Sequence, residues 1–125
     1  MLRRKKVMLV DPSPIFRLKL KEAIQTNETL VDVIEADNVD QANDILRNHQ
    51  PEVVFLDIVL PEETGIELIA SIKDMGADTR IVVVTSQDSD DCRARALQNG
   101  ADYFLAKEHA IGLHLIDVIH DVIRR

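Results

Sequence analysis

A single cysteine, Cys92, leaves no partner for an internal disulfide, which suits a reducing compartment such as the cytoplasm. Aromatic side chains make up only 3% of the 125 residues, too few for the stacking platforms on which single-stranded nucleic acid is held. Positive charge is in deficit too. Lys and Arg number 15 against 22 Asp and Glu, a net charge of −7, whereas a phosphate backbone is bound by clustered cations. Direct nucleic-acid binding is therefore not expected, and the basic tetrad at 3–6 reads as a solvated lead-in to the first strand. No apolar run approaches the roughly 20 residues that cross a bilayer, so no membrane span is expected. Only four apolar residues follow the tetrad before Asp11, too few for a signal peptide. What the chain has in quantity is aliphatic side chain: 46% of residues are apolar, gathered in short runs rich in Val, Ile and Leu, which excludes disorder.

Those runs alternate with stretches of helical period. Strand candidates lie at 7–10, 30–34, 53–56, 81–84 and 103–106. After the first, Phe16, Leu20, Ala23 and Ile24 share one helix face, with Ser13 as N-cap and Pro14 at the first helical position. Asn38 caps a second helix through Ala42, Ile45 and Leu46, and Gly65 to Met75 forms a third, ended by Gly76. Ser89-Asp90-Asp91 opens a fourth that closes at Asn99-Gly100, and a fifth runs from about Ala110. Five strands, each followed by a helix, specify an α/β fold: a doubly wound five-stranded parallel sheet covered on both faces. Continuous apolar runs such as Val53-Val54-Phe55-Leu56 are what strands buried on both faces require. With no repeat or linker, residues 1–125 are expected to form one domain.

In such folds ligands bind beyond the carboxyl ends of the strands, where strand order reverses. The residues ending the apolar runs are Asp11, Asp57, Thr85 and Lys107. Each alone has a bland alternative as turn former or solvated side chain. Together they bring two carboxylates, a hydroxyl and an ammonium to one sheet edge.

This pattern resembles the receiver domain of bacterial two-component response regulators, over the whole chain. Asp57-Ile58-Val59-Leu60-Pro61 with Gly65 is similar to the segment around that family's phospho-accepting aspartate. Val82-Val83-Val84-Thr85-Ser86 is similar to its hydroxyl strand, and 100–107 to the segment ending in its lysine. The resemblance implies a flavodoxin-like strand order 2-1-3-4-5, with Asp11 and Asp57 on the strands flanking the switch point. It implies Asp57 as phosphoacceptor, with Thr85 and Lys107 on the phosphoryl oxygens and Phe104 at the aromatic switch position. Mg²⁺ is the implied cofactor, held by Asp11, Asp57 and the backbone carbonyl of Val59. Implied partners are a sensor histidine kinase or phosphotransfer protein upstream, and a downstream protein or output domain. A homodimer through the helix 4, strand 5 and helix 5 face is a further expectation, with Ile116 and Ile123 as the apolar excess of the last helix.

Two positions depart from the family. Most receivers carry a second acid after the first strand, and here it is Pro12, which weakens the expected metal site. The lysine is commonly followed by a proline in a cis bond; Glu108 follows here, so a trans bond is expected. Glu62 and Glu63 could stand near a metal but read better as solvated loop. His49, His109, His114 and His120 lack ligand spacing. Two other functions stay open: a pseudo-receiver that binds partners without phosphorylation, favoured by Pro12, and a small-molecule phosphatase. The latter lacks a general acid two residues beyond Asp57, where Val59 stands.

Overall fold

The structure, a computed structural model, describes residues 3–60, 65–76, 78–109 and 113–124. The strands are β1 (Lys5–Val10), β2 (Val31–Ala36), β3 (Val53–Leu56), β4 (Arg80–Thr85) and β5 (Tyr103–Ala106). The helices are α1 (Pro14–Asn27), α2 (Val39–Asn48), α3 (Gly65–Met75), α4 (Asp90–Gln98) and α5 (Leu113–Arg124), with a 3₁₀ turn over Lys107–His109. The strands pair in parallel in the order β2-β1-β3-β4-β5. Consecutive strands β2 and β3 lie on opposite sides of β1, which is the order reversal that opens a crevice above β1 and β3.

Side-chain alternation sorts the strands between two cores. Val7, Leu9, Val53, Phe55, Val82, Val84 and Leu105 pack with α1 and α5 through Leu20, Ile24, Leu115 and Ile119. Met8, Val10, Val54, Leu56, Ile81, Val83 and Phe104 face the other way, onto Ala42, Leu46, Ile69, Ile72 and Ala96 of α2, α3 and α4. Phe104 is thereby committed to the α4 side.

The helix starts follow the sequence signals. Ser13 Oγ accepts from the Phe16 amide, Asn38 Oδ1 from Gln41 and Ser89 Oγ from Cys92, each satisfying an amide that the helix itself leaves unbonded. Gly100 ends α4 with φ at +119°, a conformation side chains rarely adopt. One expectation is corrected here. Ile123 is not spare surface: it is 4% exposed and packed in the core that α5 shares with α1, while Ile116 is half-buried. Among the described residues Leu115, Val118, Ile119, Val122 and Ile123 are buried in that core, because α5 covers sheet and α1 together. Ile111, Glu62 and Glu63 lie outside the described residues.

Candidate functional site

Parallel pairing carries the strand ends to one level. The Asp11 amide donates to the Ala36 carbonyl at 3.0 Å and the Asp57 amide to the Val10 carbonyl at 2.8 Å, so both acids are fixed by the ladder itself. Asp11 and Asp57 are 3% and 4% exposed, and Thr85 is fully buried. Gly65 closes the loop after β3: its amide donates to the Ile58 carbonyl, and a Cβ there would meet Ile58 Cα at 2.7 Å and the Asp57 carbonyl oxygen at 2.9 Å. Backbone occupies that space, so only glycine fits.

Lys107 joins the two acids. Its Nζ lies 2.9 Å from Asp11 Oδ2 and 2.9 Å from Asp57 Oδ2. The remaining carboxylate oxygens take amides, Asp11 Oδ1 from Ser13 at 2.8 Å and Asp57 Oδ1 from Val59 at 3.0 Å. The ammonium also sits 4.5 Å from the centre of the Phe16 ring, within cation–π range. Thr85 Oγ1 accepts from the Gln87 amide at 3.2 Å.

Charge at this depth perturbs titration. Burial pushes the Asp11 carboxyl up, and hydrogen bonds from Lys107 and the Ser13 amide only partly offset it, so its pKa lies above the ordinary 3.8. Burial pushes the Lys107 ammonium down, but its bonds to Asp11 and Asp57 outweigh that, and its pKa lies above the ordinary 10.5.

The four strand-end residues singled out in the sequence converge, with Asp11, Asp57 and Lys107 in direct contact and Thr85 on the neighbouring strand. Val59 is exposed and Pro12 half-buried beside them, and the Lys107–Glu108 bond is trans. Two contacts escaped sequence reasoning: that of Phe16, read only as a core position, with Lys107, and that of Arg93, whose guanidinium carbon lies 4.9 Å from the centre of the Phe104 ring. Periodicity places both residues on their helices but says nothing of what lies across from them.

A family model, that of the response regulator receiver domain, matches residues 7–118. The chain belongs to the response regulator receiver family. The receiver is 32% identical over 119 residues to the chemotaxis protein CheY of Halobacterium salinarum, covering 95% of this chain and 97% of that protein. It is 31% identical over 106 residues to the response regulator MprA of Mycobacterium sp. (strain KMS), covering 85% of this chain but only 45% of MprA. Among solved structures it superposes with TM-score 0.80 and 26% identity on a response regulator protein from Burkholderia pseudomallei, covering 95% of this chain and 66% of that one. That crystal structure carries a phosphorylated aspartic acid, a calcium ion and citrate. This is a two-component signalling domain, and no helix among the described residues is long and apolar enough to cross a membrane.

Proposed function

We propose that Asp57 is the phosphoacceptor of this receiver and that Thr85 and Lys107 hold the phosphoryl group once it is there. The observation that carries the reading is the sharing of one ammonium by two buried carboxylates at 2.9 Å each. A carboxylate oxygen of Asp57 attacks the phosphorus of a phosphohistidine: the O–P bond forms, the P–N bond breaks, and the imidazole keeps the electron pair. Lys107 offsets the charge of the incoming oxygens, and Thr85, whose hydroxyl hydrogen is not used by its bond from Gln87, donates to one of them. Positioning and charge neutralisation are most of what phosphoryl transfer needs.

The donor set suits a hard divalent cation, since Asp11 and Asp57 present carboxylate oxygens and Val59 a carbonyl. It is a thin set: among the described residues no three His, Cys, Asp or Glu side chains group together as metal ligands. Mg²⁺, the proposed cofactor, supplies positive charge beside the phosphoryl oxygens, and Pro12 makes its binding weak. Lys107 is the resident cation, bridging the two carboxylates until the donor arrives.

The donor is a sensor histidine kinase or phosphotransfer protein, which approaches the carboxyl end of the sheet, where Val59, two residues beyond Asp57, is exposed. The face of α4, β5 and α5 is what changes on phosphorylation and what a downstream protein, an output domain or a second copy reads. The chain acts as one cytoplasmic receiver domain over 1–125, and its only chemistry is its own phosphorylation and dephosphorylation. Treatment with acetyl phosphate and Mg²⁺ should add about 80 Da, one phosphoryl group, to the intact mass. Asp57→Asn should abolish that gain; an unchanged gain would exclude Asp57. No gain in the wild type would favour the phosphorylation-independent alternative.

A further inference from the structure

Phe16 lies in the first turn of α1, and its place is set from two sides. Its amide donates to the Ser13 cap at 3.2 Å, and its half-buried ring packs against the core that α1 shares with α5. The Lys107 ammonium stands over that ring, 4.5 Å from its centre. Asp11 Oδ2 and Asp57 Oδ2, at 2.9 Å each, account for two of the three N–H donors of an ammonium, and the ring is a third neighbour. The Lys107 side chain is only 20% exposed, so little water competes for it. An aromatic face is negative and attracts a cation without carrying a net charge. It therefore does not repel an incoming phosphoryl group as a further carboxylate would.

We propose that Phe16 is a positioning residue whose ring keeps the Lys107 ammonium at the site while Asp57 passes from carboxylate to acyl phosphate. The inference rests on the reading of Asp57 as phosphoacceptor and deepens it by naming what holds the cation through the transfer. In the free protein two carboxylates grip the ammonium, and the ring adds little to that grip. As the O–P bond forms and the P–N bond of the donor breaks, the Asp57 carboxyl group loses its own charge. The negative charge then lies further out, on the phosphoryl oxygens. Lys107 is left with one of its two carboxylates and must turn toward the new oxygens. Its four-carbon stem is flexible, and holding it still costs entropy that a single carboxylate offsets less well than two. The ring, fixed by helix and core, is unchanged by the reaction. Its contribution is therefore larger in the phosphorylated state than in the free one, and such a difference is what shifts an equilibrium.

The test is titration of the full chain with beryllofluoride, a phosphoryl mimic, in the presence of Mg²⁺. Affinity is read from backbone amide resonances, and the placing of the ammonium from the Lys107 ε-methylene protons, which a nearby ring face shifts upfield. Phe16→Leu keeps an apolar side chain and loses the π face. It should bind the mimic about two- to five-fold more weakly, which is about 0.4–1 kcal/mol at 1.4 kcal/mol per decade and the size of an exposed cation–π contact. Phe16→Tyr, which keeps the face, should retain wild-type affinity. Trifluorophenylalanine at position 16 keeps the shape of the ring and drains its negative face, so it should bind nearly as weakly as Phe16→Leu. A merely structural ring would not respond to fluorine. In the wild type the upfield ε-methylene shift should persist in the bound state. Wild-type affinity in the fluorinated protein would overturn the proposal whatever Phe16→Leu does, and so would an ε-methylene shift that vanishes on binding, while binding of the mimic still upheld the acceptor site. Absence of binding by the wild type would overturn the acceptor reading and this role of Phe16 with it.

Discussion

At the amino end of the sheet Arg4 meets Asp32 at 2.8 Å and Arg3 meets Glu52 at 2.7 Å; at the carboxyl end Lys107 meets Asp11 and Asp57 at 2.9 Å each. Distance does not tell the two ends apart, and burial does. The Arg4 and Asp32 side chains are 50% and 52% exposed, whereas both site carboxylates are 4% exposed. In the first case water already solvates each charge and the pair adds little. In the second, the charges have lost their water and depend on one another, so the removal of one partner is felt by the rest. The amino end is a solubilising rim. The carboxyl end is a buried acid pair bridged by a single cation.

The sharpest way to break this contrast is Lys107→Met. Two buried carboxylates then face each other without a cation, and the fold should lose about 2–4 kcal/mol at pH 7 in the presence of EDTA. The deficit should shrink toward pH 4, because protonating one carboxyl removes the repulsion. Urea denaturation at the two pH values measures both statements. A loss below 0.5 kcal/mol at neutral pH would mean that the pocket solvates its acids without Lys107.

Much of this contrast was legible in the sequence. The strand-end residues Asp11, Asp57, Thr85 and Lys107, and the caps Ser13, Asn38 and Ser89, are local features: each is set by where an apolar run stops or a helix starts, and all fell where expected. Strand β2 was displaced, 30–34 against Val31–Ala36, because a half-exposed edge strand gives a weaker apolar run than a central one. The contacts of Phe16 with Lys107, Arg93 with Phe104, and Ile123 with the α1–α5 core were not legible. They join elements far apart in the chain, and no periodicity records which side chains meet across such a gap.

Pro12→Asp sharpens the comparison from the other side by adding a third acid to the buried end. Mg²⁺ affinity should rise about ten-fold, the equivalent of 1.4 kcal/mol, for one more carboxylate at a partly exposed site. The metal-free protein should lose stability at the same time, since Lys107 must then offset three charges. Isothermal titration of both proteins decides it. Equal affinity would show that another acid, Glu62 or Glu63, already takes the missing place.

Asp11→Asn should act in the opposite direction on stability. The raised pKa of Asp11 means the folded state holds that proton more tightly than the unfolded chain. The contribution of Asp11 to wild-type stability therefore falls as pH rises above the unfolded value near 3.8 and through the higher folded value. Asparagine keeps an oxygen for the Ser13 amide and carries no charge to desolvate. The variant should be more stable than wild type by about 1 kcal/mol at pH 7, with the gain vanishing near pH 3.5, while Mg²⁺ binding weakens. A variant less stable than wild type at pH 7 would mean that the Lys107 bond outweighs the burial of Asp11.

The smallest effect belongs to the rim. A double-mutant cycle of Arg4→Ala and Asp32→Asn isolates the coupling of a pair whose 2.8 Å contact is as short as any in the site. Both side chains keep about half their surface in water, so the attraction acts through a high dielectric and is opposed by the entropy of holding a long arginine still. The coupling should be below about 0.5 kcal/mol and should disappear in 1 M NaCl, where the screening length falls to about 3 Å. Arg4→Ala alone should lose slightly more than the coupling, because Nη2 also donates to the Val31 carbonyl at 2.6 Å and that bond is not part of the cycle. The corresponding cycle of Lys107→Met with Asp11→Asn should give a coupling several times larger that barely responds to salt, since counterions do not reach a buried pair. Equal couplings in the two cycles, or equal salt sensitivity, would leave burial unable to explain the difference between the two ends of the sheet.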